Sequence, residues 1–322
     1  MIRAVILGVN GQDGTYLTEH LLARGATVLG LGRQQAPRHL SPQPRFEYLA
    51  LDVADAPALT AVLNRFRPTH AFHVAAVHGP AGFNYEPVFE QALAVHVGAV
   101  HTLLEHARAV AKDLRIVYAS SAKVFRAPLP ARVTEDSPMS SSCLYSTTKN
   151  AARDVISLYR ASHGINASIL YLFNHESALR GPDYFIPRVC GVLAEALAGG
   201  HAPSGKSFKT LDFLCDWGSA REYMEIAASV ADAGDAGDFI VATGRTWHGR
   251  EFVDALFKRH GLDYRDFITA ESDASDPGKK FQCVLDRLEQ KIGCRPRVGI
   301  MEVCDEIIER SQALKAAAIL NG

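Results

Sequence analysis

Tyr145 and Lys149 stand four residues apart in Tyr145-Ser-Thr-Thr-Lys149, a spacing that puts both side chains on one face of a helix. A cation held near a phenol favours the phenolate, so a group whose free pKa is about 10 could approach neutrality and exchange a proton with a substrate hydroxyl or ketone. Such a pair is common by chance, and its position gives it weight. Upstream, the apolar run Leu114-Arg-Ile-Val-Tyr118 leads into Ala119-Ser-Ser121-Ala-Lys123, which places a serine at a strand end. A second constellation, Gly8-Val-Asn-Gly11-Gln12-Asp13-Gly14, lies between the apolar run 3–7 and a helical pattern from Tyr16 to Leu22. Strand, glycine turn and helix in that order allow a tight turn, close approach of backbone to a pyrophosphate, and an anion at the helix N-terminus. The same glycines would also serve a turn with no ligand.

The elements around these residues fit one architecture. Thr27-Val-Leu-Gly-Leu31 is a second strand at βαβ distance, and Arg33 follows it where an adenosine ribose would lie. An acid at that strand end would select NAD, whereas Arg33 favours a 2′-phosphate, hence NADP(H) over NAD(H), unless it is a solvated surface arginine. A third strand over 46–51 ends at Asp52 and Val53, placed to touch adenine. A fourth over 70–74 ends in Ala75-Ala76, small enough for a cofactor to run close to backbone. With a helix around 89–110 and the strand at 114–118, the alternation predicts an α/β fold, a Rossmann-like doubly wound parallel sheet with a smaller C-terminal α/β domain. Residues 1–173 would form the NADP(H)-binding domain carrying Ser121, Tyr145 and Lys149. Residues 174–322 would form the substrate domain, with the chain crossing back in part and the ligand cleft between the two. Residues 128–142, rich in Pro and Ser, predict a loop bordering the substrate pocket, and 199–207 a Gly/Ser loop.

Composition removes several function classes. Lys and Arg total 34 against 35 Asp and Glu, a net charge of -1, so no bulk field draws the chain to nucleic acid or an acidic membrane. Hydrophobic residues at 48% and charged ones at 21% are those of an ordered globular protein. The apolar runs are too short to span a membrane and no apolar signal core opens the chain. Six cysteines without a C-x-x-C pair predict a reduced, cytoplasmic setting. Thirteen histidines invite a metal, yet His73, His78, His96, His101 and His106 show no ligand-type spacing beside a carboxylate, and no metal site is expected.

Read together, these segments resemble the extended short-chain dehydrogenase/reductase family and, within it, the GDP-mannose 4,6-dehydratases. Gly-Gln-Asp-Gly at 11–14 is far more specific than a generic glycine pattern. Leu172-Phe-Asn174-His-Glu-Ser177 with Arg180-Gly181 and Arg188, Asp216-Trp-Gly-Ser-Ala-Arg221-Glu-Tyr223, and Phe239-Ile-Val-Ala-Thr-Gly244 are similar to later family segments. The resemblance implies that Gly8, Gly11, Gln12, Asp13, Gly14, Arg33, Asp52, Val53, Ala75 and Ala76 hold the cofactor. It implies that Tyr145 is the acid/base, that Lys149 binds the nicotinamide ribose and tunes Tyr145, and that Ser121 hydrogen-bonds the reacting sugar oxygen. Asn174, Arg180, Arg188 and Arg221 would face a nucleotide diphosphate sugar, with His175 and Glu176 as supports. Helices near 89–110 and 145–162 would pair two subunits into a homodimer.

The family pattern breaks at one catalytic position. Dehydratases of this kind carry a glutamate two residues after a threonine, to handle the C5 proton and the leaving C6 hydroxyl. Here Ser121 takes the threonine position and Lys123 the glutamate position. An ammonium has no acceptor for that proton. Cys215 replaces an expected arginine, and the Arg-rich loop near the C-terminus is reduced to Asp276-Pro-Gly-Lys-Lys280. The expected activity is NADP(H)-dependent hydride transfer at C4 of a GDP-linked sugar, as a reductase of a 4-keto-6-deoxy sugar. The alternatives are a true dehydratase, a C4 epimerase, and more remotely a non-catalytic cofactor-binding relative.

Overall fold

The computed structural model describes residues 1–199, 206–271 and 278–320, side chains of 314–320 excepted. The first half runs β1 (Arg3–Leu7), α1 (Gln12–Ala23), β2 (Thr27–Gly32), β3 (Phe46–Ala50), α2 (Ala56–Phe66), β4 (His70–His73), α3 (Phe89–Leu93), α4 (Ala99–Ala109), β5 (Arg115–Ser121), β6 (Arg132–Val133) and α5 (Leu144–His163). There follow β7 (Ala167–Leu172), β8 (Asn174–Glu176), α6 (Phe185–Leu197), β9 (Lys206–Phe208), β10 (Leu214–Ser219), α7 (Ala220–Asp232) and β11 (Asp238–Val241). The chain closes with β12 (Thr246–His248), α8 (Gly249–Lys258), β13 (Ile268–Ala270), β14 (Gln282–Cys283), α9 (Asp286–Ile292) and α10 (Ile300–Leu320).

Seven strands form one parallel sheet in the order β11-β7-β5-β4-β1-β2-β3. Its strands read as near-continuous apolar runs because helices cover both faces. In β1, Val5 and Leu7 pack with Leu63, Leu103 and Ile156 of α2, α4 and α5. Ala4 and Ile6 point the other way, toward Leu17 and Leu21 of α1 and Ala227 of α7. Order reverses between β1 and β4, and the crevice at their C-terminal ends is where such sheets bind ligands.

The helix expected around 89–110 is present but interrupted by one π turn, Ala94–Gly98. The wider turn carries His96 to complete burial. Such turns occur frequently at functional sites.

After residue 174 the chain does not stay in a separate unit. β11 joins the edge of the large sheet beside β7, and α7 packs on α1. The remaining elements build a second core, in which β8, β10 and β12 form a three-stranded sheet and α6, α8 and α10 pack around Trp217 and Phe252. β8 continues directly from β7 and pairs with β10, so the segment 174–180 emerges beside the ends of the large sheet's strands.

Candidate active site

A cavity of about 380 Å³ opens at the C-terminal ends of the parallel strands, lined from the glycine turn at one end to Arg180 and Tyr184 at the other. The turn is shaped by glycine. Gly8 has φ +97°, and a Cβ there would meet the Ala75 backbone at 2.7 Å. At Gly14 a Cβ would lie 2.3 Å from the Gly8 carbonyl oxygen, so α1 can press against β1 only without a side chain. Gly11 occupies the N-cap of α1. These are the requirements for a backbone cradle around a pyrophosphate at a helix N-terminus. Gly8, Gly11, Gln12, Asp13, Arg33, Asp52, Val53, Ala75 and Ala76 all line the cavity, whereas Gly14 lies behind it. Arg33 is exposed at the end of β2 with no ion-pair partner among the described residues. The residues therefore fit a dinucleotide, with backbone for the diphosphate.

Ser121, Lys123, Tyr145 and Lys149 all reach the same cavity. Ser121 ends β5, and its hydroxyl accepts from the Lys123 backbone N–H at 3.2 Å. The first turn of α5 supplies Tyr145 and the second supplies Lys149. Lys149 is 1% exposed, donates from Nζ to the Ala119 carbonyl at 2.7 Å, and lies 5.8 Å from the Tyr145 ring centre. Burial pulls its pKa down to about 7. Burial also pushes the Tyr145 phenol up, against the opposing pull of Ser121. Without a bound ligand, burial is thus the largest influence on the phenol and favours its protonated form. Tyr145 is held as a protonated phenol.

The helix register of α5 is tied to the opposite wall through His96. The Val77 backbone N–H donates to His96 Nε2 at 2.9 Å, so Nδ1 carries the proton toward Thr148 Oγ1 at 2.7 Å. Thr148 in turn donates to the Tyr145 carbonyl at 2.9 Å. His96 is therefore a neutral ring with one tautomer, and burial keeps it so by lowering its pKa.

Where the glycine turn meets β8, polar groups are consumed by each other. His175 Nδ1 faces the Phe173 carbonyl at 2.8 Å and Nε2 faces both Asp13 oxygens at 3.1 Å. Two acceptors require two donors, so His175 is an imidazolium. Burial opposes both charges, yet the pair prevails: His175 is raised and Asp13 is lowered. Gln12 donates to the His175 carbonyl at 3.1 Å and accepts from Ser177 at 2.9 Å. Arg180 pairs with buried Glu176 at 3.2 Å and lies 4.1 Å over the Tyr184 ring. The side chains of Gln12 and Asp13, which also line the cavity, clasp α1 to the segment after β8. Asn174 is exposed at the cavity edge.

Two expected substrate contacts are not brought to the cavity. Arg188 donates to the Ser207 carbonyl at 3.0 Å and covers the Phe208 ring, because the α6 register turns it toward β9. Arg221 pairs with Glu19 at 3.1 Å over the Tyr16 ring, on the outer side of α1. Cys215 also lies away from the lining. The 128–142 loop does not border the cavity; its β6 pairs with β14, and Glu135 accepts from the Ile240 N–H. Residues 200–205 of the Gly/Ser loop, and Asp276 with Pro277, lie outside the described residues. Among the described residues no group of three or more His, Cys, Asp or Glu could hold a metal, and no helix is long and apolar enough to cross a membrane. Sequence reasoning missed His78, Tyr85 and Tyr184 around Tyr145; the available signal for His78 was its place just past the β4 strand end, where such sheets bind ligands.

The model of the GDP-mannose 4,6-dehydratase family matches residues 5–306. The chain belongs to that family. A GDP-mannose 4,6-dehydratase of Vibrio cholerae is 26% identical over 95% of this chain and 92% of its own length. Among solved structures, a UDP-glucose 4-epimerase from Thermotoga maritima with UDP-glucose superposes at TM-score 0.81, with 14% identity over 98% of this chain and all of its own. A dTDP-glucose 4,6-dehydratase from Bacillus anthracis in complex with NAD reaches 0.79, with 15% identity and 96% of each chain covered. The family is one of enzymes, and the structural neighbours share the extended dehydrogenase fold.

Proposed function

We propose that this chain transfers a hydride between NADP(H) and C4 of a GDP-linked sugar, acting as a reductase of a 4-keto-sugar and not completing the dehydration for which its family is named. One observation carries the reading. Lys123 lines the cavity two residues beyond Ser121, where a dehydratase needs a carboxylate to take the C5 proton, and an ammonium cannot take it. The protonated phenol agrees with the same direction of chemistry. Tyr145 would donate its proton to the C4 oxygen as that oxygen gains charge, with Ser121 holding the oxygen in place. Lys149, anchored on Ala119, would stabilise the phenolate left behind. The cofactor supplies the hydride when bound. Arg33 supports NADP(H), and the cavity-edge Asn174 with Arg180 supports binding of the sugar diphosphate. Similarity of 172–177 to the family segment supports GDP as the nucleotide. Exposed Leu93 and Leu158 on α3 and α5 support a homodimer, and six free cysteines support a cytoplasmic setting.

The test mixes purified protein with a GDP-linked 4-keto-6-deoxyhexose and NADPH and follows absorbance at the reduced-nicotinamide band. NADPH oxidation is expected, falling by about 10²- to 10⁴-fold in Tyr145→Phe. Accumulation of a 4-keto-6-deoxy product from GDP-mannose and NADP⁺, without net cofactor reduction, would overturn the reading in favour of a dehydratase.

A further inference from the structure

The charged side chains lining the sugar end of the cavity are Asp13, Lys123, Lys149, His175 and Arg180. All but one are already engaged. Asp13 and His175 pair at 3.1 Å, Arg180 pairs with Glu176 at 3.2 Å, and Lys149 donates to the Ala119 carbonyl at 2.7 Å. Lys123 is exposed to the cavity, and its ammonium has no hydrogen-bond or ion-pair partner among the described residues. The net field here is positive. Burial, and then Arg180, Lys149 and Lys123, keep the neighbouring His78 ring uncharged.

Backbone geometry limits where the Lys123 ammonium can reach. Ser121 caps the short 3-10 turn Ala122–Val124, its hydroxyl accepting from the Lys123 N–H at 3.2 Å. Lys123 therefore starts beside the hydroxyl that would hold the C4 oxygen of the sugar. In a pyranose, C4 stands across the ring from C1, which carries the diphosphate. A side chain rooted beside C4 is thus closer to what C3 and C5 carry than to the diphosphate. C3 carries an oxygen, whereas C5 carries C6, the carbon that can become a carboxylate without opening the ring.

We propose that Lys123 is a specificity-determining residue that selects a nucleotide-linked hexuronate, its ammonium binding the C6 carboxylate. A carboxylate brings two acceptor oxygens and one negative charge to the one uncommitted cation of this wall, a stronger pairing than a neutral hydroxyl offers. A hexose or 6-deoxyhexose leaves the ammonium without a counter-charge and binds more weakly. The inference rests on the C4 reading above, which places C4 beside Ser121, and it adds the substrate class.

Binding is measured without turnover. Protein saturated with NADPH, which cannot accept a hydride from a C4 alcohol, is titrated calorimetrically with a GDP-linked hexuronate, its uncharged 6-carboxamide, and the GDP-linked hexose of the same configuration. The hexuronate should bind about 10- to 100-fold tighter than either neutral sugar, the worth of a hydrogen bond between charged groups. In Lys123→Met that ratio should fall to about one, and in Lys123→Arg most of it should be kept. A wild-type ratio near one, or a ratio unchanged in Lys123→Met, overturns the proposal. Equal weakening of all three ligands in Lys123→Met would place the ammonium on the diphosphate and also overturns it, as does a failure of all three to bind. Reduction of a GDP-linked 4-keto-6-deoxyhexose by NADPH is scored in the same preparation at saturating sugar. Selective binding without reduction would keep the carboxylate subsite while sinking the reductase reading, and reduction without selectivity would do the opposite.

Discussion

Two stretches of the cavity wall carry polar groups on opposite terms. Where the glycine turn meets β8, Asp13, His175, Gln12, Ser177, Glu176 and Arg180 answer one another within hydrogen-bond or ion-pair distance. At the strand ends, Arg33, Lys123 and the Nε2 edge of His78 face open space with no partner among the described residues. A buried charge must be paired to be tolerated, whereas an exposed one keeps its hydration until a ligand replaces it. The first stretch is therefore paired before any ligand arrives, though Arg180 also reaches the cavity, and the second is left open for recognition and chemistry. Both stretches contain residues that resemblance alone would call binding residues.

The contrast predicts different kinds of damage. His175→Leu should cost the most, since it leaves the Asp13 carboxylate buried without its counter-charge; a loss of about 3–5 kcal/mol is expected, read by urea denaturation. A loss below about 1 kcal/mol would show that the clasp is not structural. Arg33→Ala should leave the denaturation midpoint where it is and weaken NADPH by about 10- to 100-fold, with NADH little changed, as read by fluorescence titration. Equal losses for both cofactors would remove Arg33 from the 2′-phosphate.

Asp216 tests the boundary between the two cases, and the effect is smaller. One of its oxygens accepts from the Thr243 N–H and hydroxyl at 3.0 and 2.7 Å, while the other is buried without a partner. Burial raises its pKa to about 6, against the Thr243 bonds. Because the folded value lies above the unfolded one, the group's contribution to stability is fully present below pH 4 and is lost as pH rises through 6. Asp216→Asn should therefore melt a few degrees higher than wild type at pH 7.5 and lose that advantage at pH 4, measured by calorimetry at the two pH values. An advantage that is the same at both would refute the half-paired carboxylate.

Much of the architecture can be read from residues 1–121 alone. The apolar runs at 3–7, 27–31, 46–51, 70–74 and 114–118 become five of the seven parallel strands, because the inner strands are buried on both faces and must be largely apolar, while the edge strand β3 is only half-buried. Glycines 8 and 14 mark the turn because a side chain at either would collide with neighbouring backbone. Tyr145 and Lys149 fall on α5 as their spacing requires. The arginines are where reading by segment was weakest. Arg180, Arg188 and Arg221 lie in equally family-like stretches, yet one reaches the cavity and two are turned away by helix register against β9 and α1.

What the sequence determined by itself is the sheet, the glycine cradle, the grouping of Ser121, Tyr145 and Lys149 around one cavity, and the presence of Lys123 two residues after Ser121. These follow from local rules: periodicity, the missing Cβ of glycine, and the identity of a side chain at a known offset. The protonation states belong to the tertiary structure. Asp13 and His175 are 162 residues apart in the chain, and only folding makes one an anion and the other a cation. Burial raises the proton affinity of Tyr145 and lowers that of Lys149, and packing leaves His78 with an open edge beside Tyr145. Charge and proton affinity depend on what surrounds a group in space, and the order of residues along the chain does not contain that information in local form.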